Sequence, residues 1–419
     1  MIRLNNRGRA GWISVCLMAL LIVMINIPII PKAMGGSPIL FPVMLLAVGS
    51  LFGEGKLLIK EKSALFLIGL CIAFGVQILY KLSGISTAGI GVFSNPASFF
   101  FLAFMMDFVV LRADQKQRKF LFWTVIGSIL LTLAVNTFMY LRLGFYYFER
   151  VSESDHLVTN AVNTQFTTAL MIMGGICLII MLHINKERRL PWLALFIIIT
   201  LFNVLVCQRA IALILSAVMY SLILALNSKS KGFVIFLIIL MGLACIVAYL
   251  NYGAVITWLT EHIGSERIGV KLAQIRKALD SGEISENNGS LGARAHLYMT
   301  SVQTWLQSFR SFFLGVGDHR NNNLVIGNHS EFIDLLAKFG VIIASLFYTL
   351  VFITLNWIRS SVVEKRDSII YKQVMVILGI FLFRGLIGFV LFGSIAVQLF
   401  VFLPLAFSVL KEKERFWKI

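Results

Sequence analysis

Apolar runs of about 20 residues recur from one end of this chain to the other, and no other property restricts the fold as much. A helix needs about that length to cross roughly 30 Å of hydrocarbon. A soluble domain has no way to cover so much apolar surface. The 419 residues are 58% hydrophobic and only 14% charged, against about 25% charged in an average globular chain. The expected fold class is an all-α polytopic membrane protein.

Twelve spans can be drawn, at 12–31, 38–53, 63–80, 97–112, 120–141, 163–183, 190–207, 209–226, 232–257, 335–358, 371–391 and 393–410. This divides the chain into nine transmembrane helices over 1–257, one large loop over 258–334, and three further helices with a tail over 335–419. The basic start "MIRLNNRGRA" resembles a signal peptide. The apolar run behind it is longer than such a peptide needs, so an uncleaved first helix is expected.

Orientation follows from the cations, because Lys and Arg gather on the cytoplasmic side of short loops. "GEGKLLIKEK", "RADQKQRK", "NKERRL", "NSKSK", "RSSVVEKRDSIIYK" and "KEKERFWKI" all fall on one side. They hold most of the 37 Lys and Arg residues, so both termini are expected in the cytoplasm. The large loop is then outer, with "RIGVKLAQIRKALD" and "ARAHLYMTSVQTWLQSF" as amphipathic helices joined by the linker "SENNGSLG". The net charge of +17 is mostly this orientation signal. It gives no reason to expect nucleic acid as a partner.

Charges inside apolar segments are costly and are functional candidates by default. Arg209 stands in "NVLVCQRAIALILSA", where the seventh span turns into the eighth, and Arg384 stands in "IFLFRGLIGFVLF". Arg209 can also act as an interfacial anchor. For Arg384 the structural alternatives are an ion pair or partial snorkelling. An outer cationic cavity suits a phosphate or diphosphate, since a guanidinium fork offers paired donors to such oxygens. Arg294 opens an amphipathic loop helix and is either part of that cavity or a solvated surface residue.

The stretch "GNHSEFIDLLAKFG" places His329, Glu331 and Asp334 together just where the chain turns apolar. As a continuous helix it would set His329 and Gly340 about 20° apart, three turns along, with Ile333 and Leu336 near the same stripe. Gly340 would let a neighbouring helix or a lipid chain approach. Asn328 and Glu331 fit a capping box, and Asp334 and Lys338 fit an i,i+4 pair. Those local roles leave His329 over, a side chain suited to act as a base near neutral pH.

No Walker loop, dinucleotide fingerprint or zinc spacing is present, and the five cysteines lie in apolar segments. No metal or cofactor is expected. The close acidic pair Glu153 and Asp155 is the one feature that would argue otherwise.

Taken together, "RAIAL", "GARAHLYMTSVQTW", "FLGVGDH" and the His329-to-Gly340 spacing resemble the O-antigen polymerase and O-antigen ligase superfamily, bacterial membrane glycosyltransferases of the GT-C type. The resemblance implies metal-independent, inverting transfer at the outer leaflet of the inner membrane. The donor would be an undecaprenyl-diphosphate-linked glycan. It implies that Arg209 and Arg294 hold the diphosphate and that His329 activates the acceptor hydroxyl. Arg384 is not clearly accounted for by the family pattern. The Ser and Asp after His329 look more like the polymerase form, so the expected activity is a polysaccharide polymerase in lipopolysaccharide biosynthesis. Its acceptor would be a second lipid-linked unit, and a chain-length regulator is a possible partner. A ligase acting on lipid A core is the alternative. A flippase for lipid-linked glycan is a second alternative, although the paired repeats common in transporters are not visible.

Overall fold

A computed structural model of the protein describes residues 10–27, 30–31, 34, 39–53, 61–86, 94–143, 164–207, 210–228, 290–317, 326–362 and 369–411. Among them the architecture is helical throughout, with no strand. The first eight helices are α1 (Trp12–Asn26), α2 (Leu40–Gly53), α3 (Glu61–Leu82), α4 (Ser94–Met105), α5 (Gln115–Leu143), α6 (Thr164–His183), α7 (Arg189–Phe202) and α8 (Ala210–Asn227). Then follow α9 (Ser290–Leu306), α10 (Phe309–Leu314), α11 (Glu331–Val362), α12 (Ile369–Leu386), α13 (Gly393–Ala396) and α14 (Leu403–Lys411). π-helical turns extend α4 over Met106–Val110 and α7 over Asn203–Cys207, and Val397–Phe402 joins α13 to α14.

Each segment expected to be apolar helix is helical over most of its described residues, 371–391 only as far as Leu386, and 232–257 lies outside the described residues. Five helical stretches are long and apolar enough to cross a membrane: Gln115–Arg142, Gln165–His183, Lys186–Cys207, Glu331–Asn356 and Ile369–Leu386. The remaining apolar helices are shorter.

Burial sorts the helices into a centre and a rim. From Phe99 to Met106 every side chain is buried, as are those from Ile395 to Leu403. α6 is 83% buried over its apolar window, whereas the windows of α7 and α11 are 39% buried. A helix that is apolar all round has no polar face to turn to water and takes the core of a bundle. Aromatic contacts lock this centre: Phe99 stacks on Phe381 at 5.9 Å and meets Phe400 edge-on at 5.1 Å. Phe122 packs between Trp192 and Phe402 at 5.8 and 5.9 Å.

Polar groups buried or half-buried among these helices tie specific pairs together. His183 Nε2 donates to Gln373 Oε1 at 2.8 Å, and Gln373 Nε2 donates to the Ile223 carbonyl at 3.0 Å, linking α6, α12 and α8. Asn26 Nδ2 donates to Ser128 Oγ at 2.9 Å, and Thr132 Oγ1 donates to the Asn26 carbonyl at 2.8 Å, fixing α1 on α5. With little hydrophobic drive between helices in lipid, such bonds specify neighbours.

Candidate functional site

Residues 326–330 enter α11 through a short non-helical segment pinned to α9. The Gly327 N–H donates to Ser301 Oγ at 2.8 Å, and Ser301 Oγ donates to Asp334 Oδ1 at 2.6 Å. Asp334 Oδ2 accepts from the Ser330 N–H at 2.9 Å. All the side chains in this relay are buried. Gly327 fits only because it has no side chain: a Cβ there would overlap the Leu297 backbone of α9.

The start of α11 corrects the expected capping box. Asn328 sits at φ 53, in the left-handed region, whereas an N-cap residue needs an extended backbone. The cap is Ser330, whose Oγ accepts from the Ile333 N–H at 3.2 Å while Asp334 returns the bond to the Ser330 N–H. Asp334 is therefore engaged by Ser301 and Ser330 rather than acting simply as the i,i+4 partner of Lys338.

His329, half-exposed, stands on this pinned segment. Its Nδ1 lies 2.8 Å from the Asn328 carbonyl oxygen. A carbonyl only accepts, so the proton of the neutral ring sits on Nδ1 and the lone pair on Nε2. The left-handed turn at Asn328 and this bond together leave Nε2 as the acceptor nitrogen of the neutral ring.

Glu331 has a different task from the one expected. Its Oε2 accepts from the N–H groups of Val390 and Leu391 at 3.0 and 3.2 Å, and its own N–H donates to the Gly388 carbonyl at 3.2 Å. It thus holds the non-helical stretch 387–392 against the head of α11. Glu331→Ala strands two buried amides, each worth roughly 1–3 kcal/mol. A marked fall in the thermal midpoint in detergent is expected, with a clearly smaller fall for Glu331→Gln, which keeps an acceptor. Equal loss in both would contradict this role.

Arg384 also differs from expectation. α12 stops at Leu386 rather than continuing to 391, so Arg384 lies in its last turn instead of two turns inside the span. There a cation faces the negative end of the helix dipole. The side chain is 3% exposed and does not snorkel. Its Nε donates to Thr168 Oγ1 of α6 at 3.3 Å, and its guanidinium lies over Gly388, where a Cβ would overlap it.

The continuous stripe from His329 to Gly340 is not formed. His329 precedes the helix, and α11 is broken at Gly340, with φ 65 and ψ 176. The break leaves the carbonyls of Ala337 and Lys338 to accept from Val316 and Gly317 at 2.9 and 2.8 Å. Two glycines make the approach possible from both sides. A Cβ on Gly340 would overlap the Phe313 and Leu314 backbone, and one on Gly315 would overlap Lys338 and Phe339. Tyr348 Oη bonds the Phe332 carbonyl, joining the two halves of α11 across the break.

An apolar groove of about 530 Å³ begins one turn beyond His329. It is lined by Phe332, Ile333 and Leu336 from the first half of α11, by Tyr348, Val351 and Phe352 from the second, and by the end of α12. His329 does not line this groove; Phe332, three residues later in the chain, is the first residue that does.

The remaining candidates are placed less fully. Arg294 lies on α9, in helical register with Ser301 two turns later, and its side chain is outside the described residues. Arg209, Glu153 and Asp155 lie outside them altogether. Among the described residues no group of three His, Cys, Asp or Glu side chains is arranged to hold a metal. Sequence reasoning missed Ser301 and Ser330, and the serine directly after His329 was the available signal for the cap. No known family profile matches this chain, and no curated protein matches it.

Proposed function

We propose that this protein is a membrane glycosyltransferase that polymerises lipid-linked glycan repeat units, with His329 as its base. The observation that supports the reading is the placement of His329, its lone pair on Nε2, three residues before Phe332, where the lining of the apolar groove begins. A ligand matching both parts has a polar, reacting end and a long hydrocarbon end. A polyprenyl-diphosphate glycan has that character.

In this reading the acceptor hydroxyl attacks the anomeric carbon while His329 Nε2 takes its proton. The bond from that carbon to the diphosphate oxygen breaks, and the diphosphate leaves with the electron pair. Attack opposite the leaving group inverts the centre. Guanidinium groups fixed beside the leaving oxygens stabilise the charge that builds there. Arg294 and Arg209 are assigned that role, with Arg384, buried and lying over Gly388, as a weaker third candidate. The acceptor would be a second lipid-linked unit on the outer face of a bacterial inner membrane, with both termini on the cytoplasmic side.

The test is purified protein in nanodiscs given an undecaprenyl-diphosphate-linked repeat unit, without nucleotide sugar or added metal. A ladder of lengthened glycans is the expected result. Transfer only when lipid A core is supplied would replace polymerase by ligase. Movement of the unchanged lipid across a proteoliposome bilayer, with no new glycosidic bond, would replace both by a flippase.

A further inference from the structure

The segment from the end of α9 through α10 exposes more apolar surface than a water-facing cap tolerates. Phe309 is 82% exposed, Leu306 57% and Leu314 44%. Behind them Trp305 stacks on Phe312 at 5.0 Å, and Phe309 packs against Phe313 at 4.6 Å. We propose that this segment is a wedge embedded in the lipid leaflet beside α11, its exposed side chains facing phospholipid at the boundary of headgroups and acyl chains.

Depth is the first argument. α10 does not rest on the start of α11. Val316 and Gly317, just past its C-terminal end, bond the Ala337 and Lys338 carbonyls, and its own Phe313–Leu314 backbone lies against Gly340, about 9–13 Å of helix beyond Glu331. The whole headgroup zone is only about 5–8 Å deep on each side of the hydrocarbon. A helix seated that far along a spanning helix lies level with the leaflet rather than above it.

Continuity is the second. Tyr80 Oη bonds the Leu314 carbonyl, placing α10 against the last turn of α3. Leu79 and Leu82 of that turn are 64% and 80% exposed, and Ile342 and Leu346 of α11 are also exposed. The apolar face of α10 extends the lipid-facing belt of its two neighbours.

The third argument is how fully α10 satisfies its own ends. Ser308 and Ser311 form a reciprocal capping box, with Ser311 N–H to Ser308 Oγ at 3.0 Å and Ser308 N–H to Ser311 Oγ at 2.9 Å. At the other end the Ser311 carbonyl accepts from Gly315, Phe312 from Trp305 Nε1, and Leu314 from Tyr80. In water, open end groups can bond solvent instead. At the edge of hydrocarbon each open group is expensive. Arg310, exposed, has a stem long enough to reach the phosphate layer from there.

This inference does not depend on which reaction the site performs. Its test is a spin label at Phe309→Cys, in a chain whose native cysteines are replaced, reconstituted in phospholipid nanodiscs. The label is expected to collide with oxygen more than with a water-soluble nickel chelate, as a label at Leu346 should and one at Lys116 should not. Behaviour like Lys116 would overturn the proposal, and so would dipolar broadening between labels, which would mean a second copy covers the face. The unaltered chain gives an independent reading. A diazirine carried on lipid acyl chains should leave adducts on 306–314, and their absence while α11 is labelled would also overturn it.

Discussion

Replacing His329 by alanine is expected to slow glycan transfer by about 10²–10⁴-fold, the usual contribution of a positioned general base. Stability should hardly change. The ring is half-exposed and bonds the carbonyl of its own neighbour, while the relay that fixes its segment runs through Gly327, Ser301, Ser330 and Asp334. Ladder formation measured beside thermal unfolding separates the two effects. A variant that folds normally and polymerises at the parent rate would remove His329 from the mechanism.

The second large effect is on stability. Gly340 holds φ 65 with ψ 176, a region essentially confined to glycine that costs other residues about 1–3 kcal/mol. A side chain there must also displace the Phe313–Leu314 backbone. Gly340→Val is therefore expected to lower the thermal midpoint sharply and to reduce the yield of monodisperse protein. Gly379→Ala is the control: it lies inside α12 with open space around it. There alanine should be neutral or favourable by up to about 1 kcal/mol. Similar midpoints for the two variants would mean the break at Gly340 is not needed.

The helices were legible because apolar run length is a local property, and each helix needs only its own residues to declare itself. The head of α11 was legible only in part. Asn328 with Glu331, and Ser330 with Asp334, are two overlapping frames that both offer caps, and the sequence does not rank them. The choice is made by the left-handed turn at Asn328 and by Ser301, which draws Asp334 into the second frame from another helix. Glu331 is thereby released to bond Val390 and Leu391, partners too distant in sequence for any local pattern to reveal. Gly340 was read as a place of close approach, and a neighbouring backbone does lie there. The break itself was not legible, because a glycine inside an apolar run usually stays helical at a cost of about 1 kcal/mol. The early end of α12 was hidden likewise, since Ile387–Phe392 is as apolar as the helix before it.

The relay around His329 also bears on when that site can assemble. Ser301 reaches Asp334 across 33 positions and Gly327 across 26, so the whole cradle belongs to one contiguous piece of chain. Contacts between near positions close with less loss of chain entropy and form sooner than distant ones. Glu331 reaches Val390 and Leu391 across 59 and 60 positions, so the tie from the cradle to the rest of the bundle closes a longer loop than the cradle itself and costs more chain entropy.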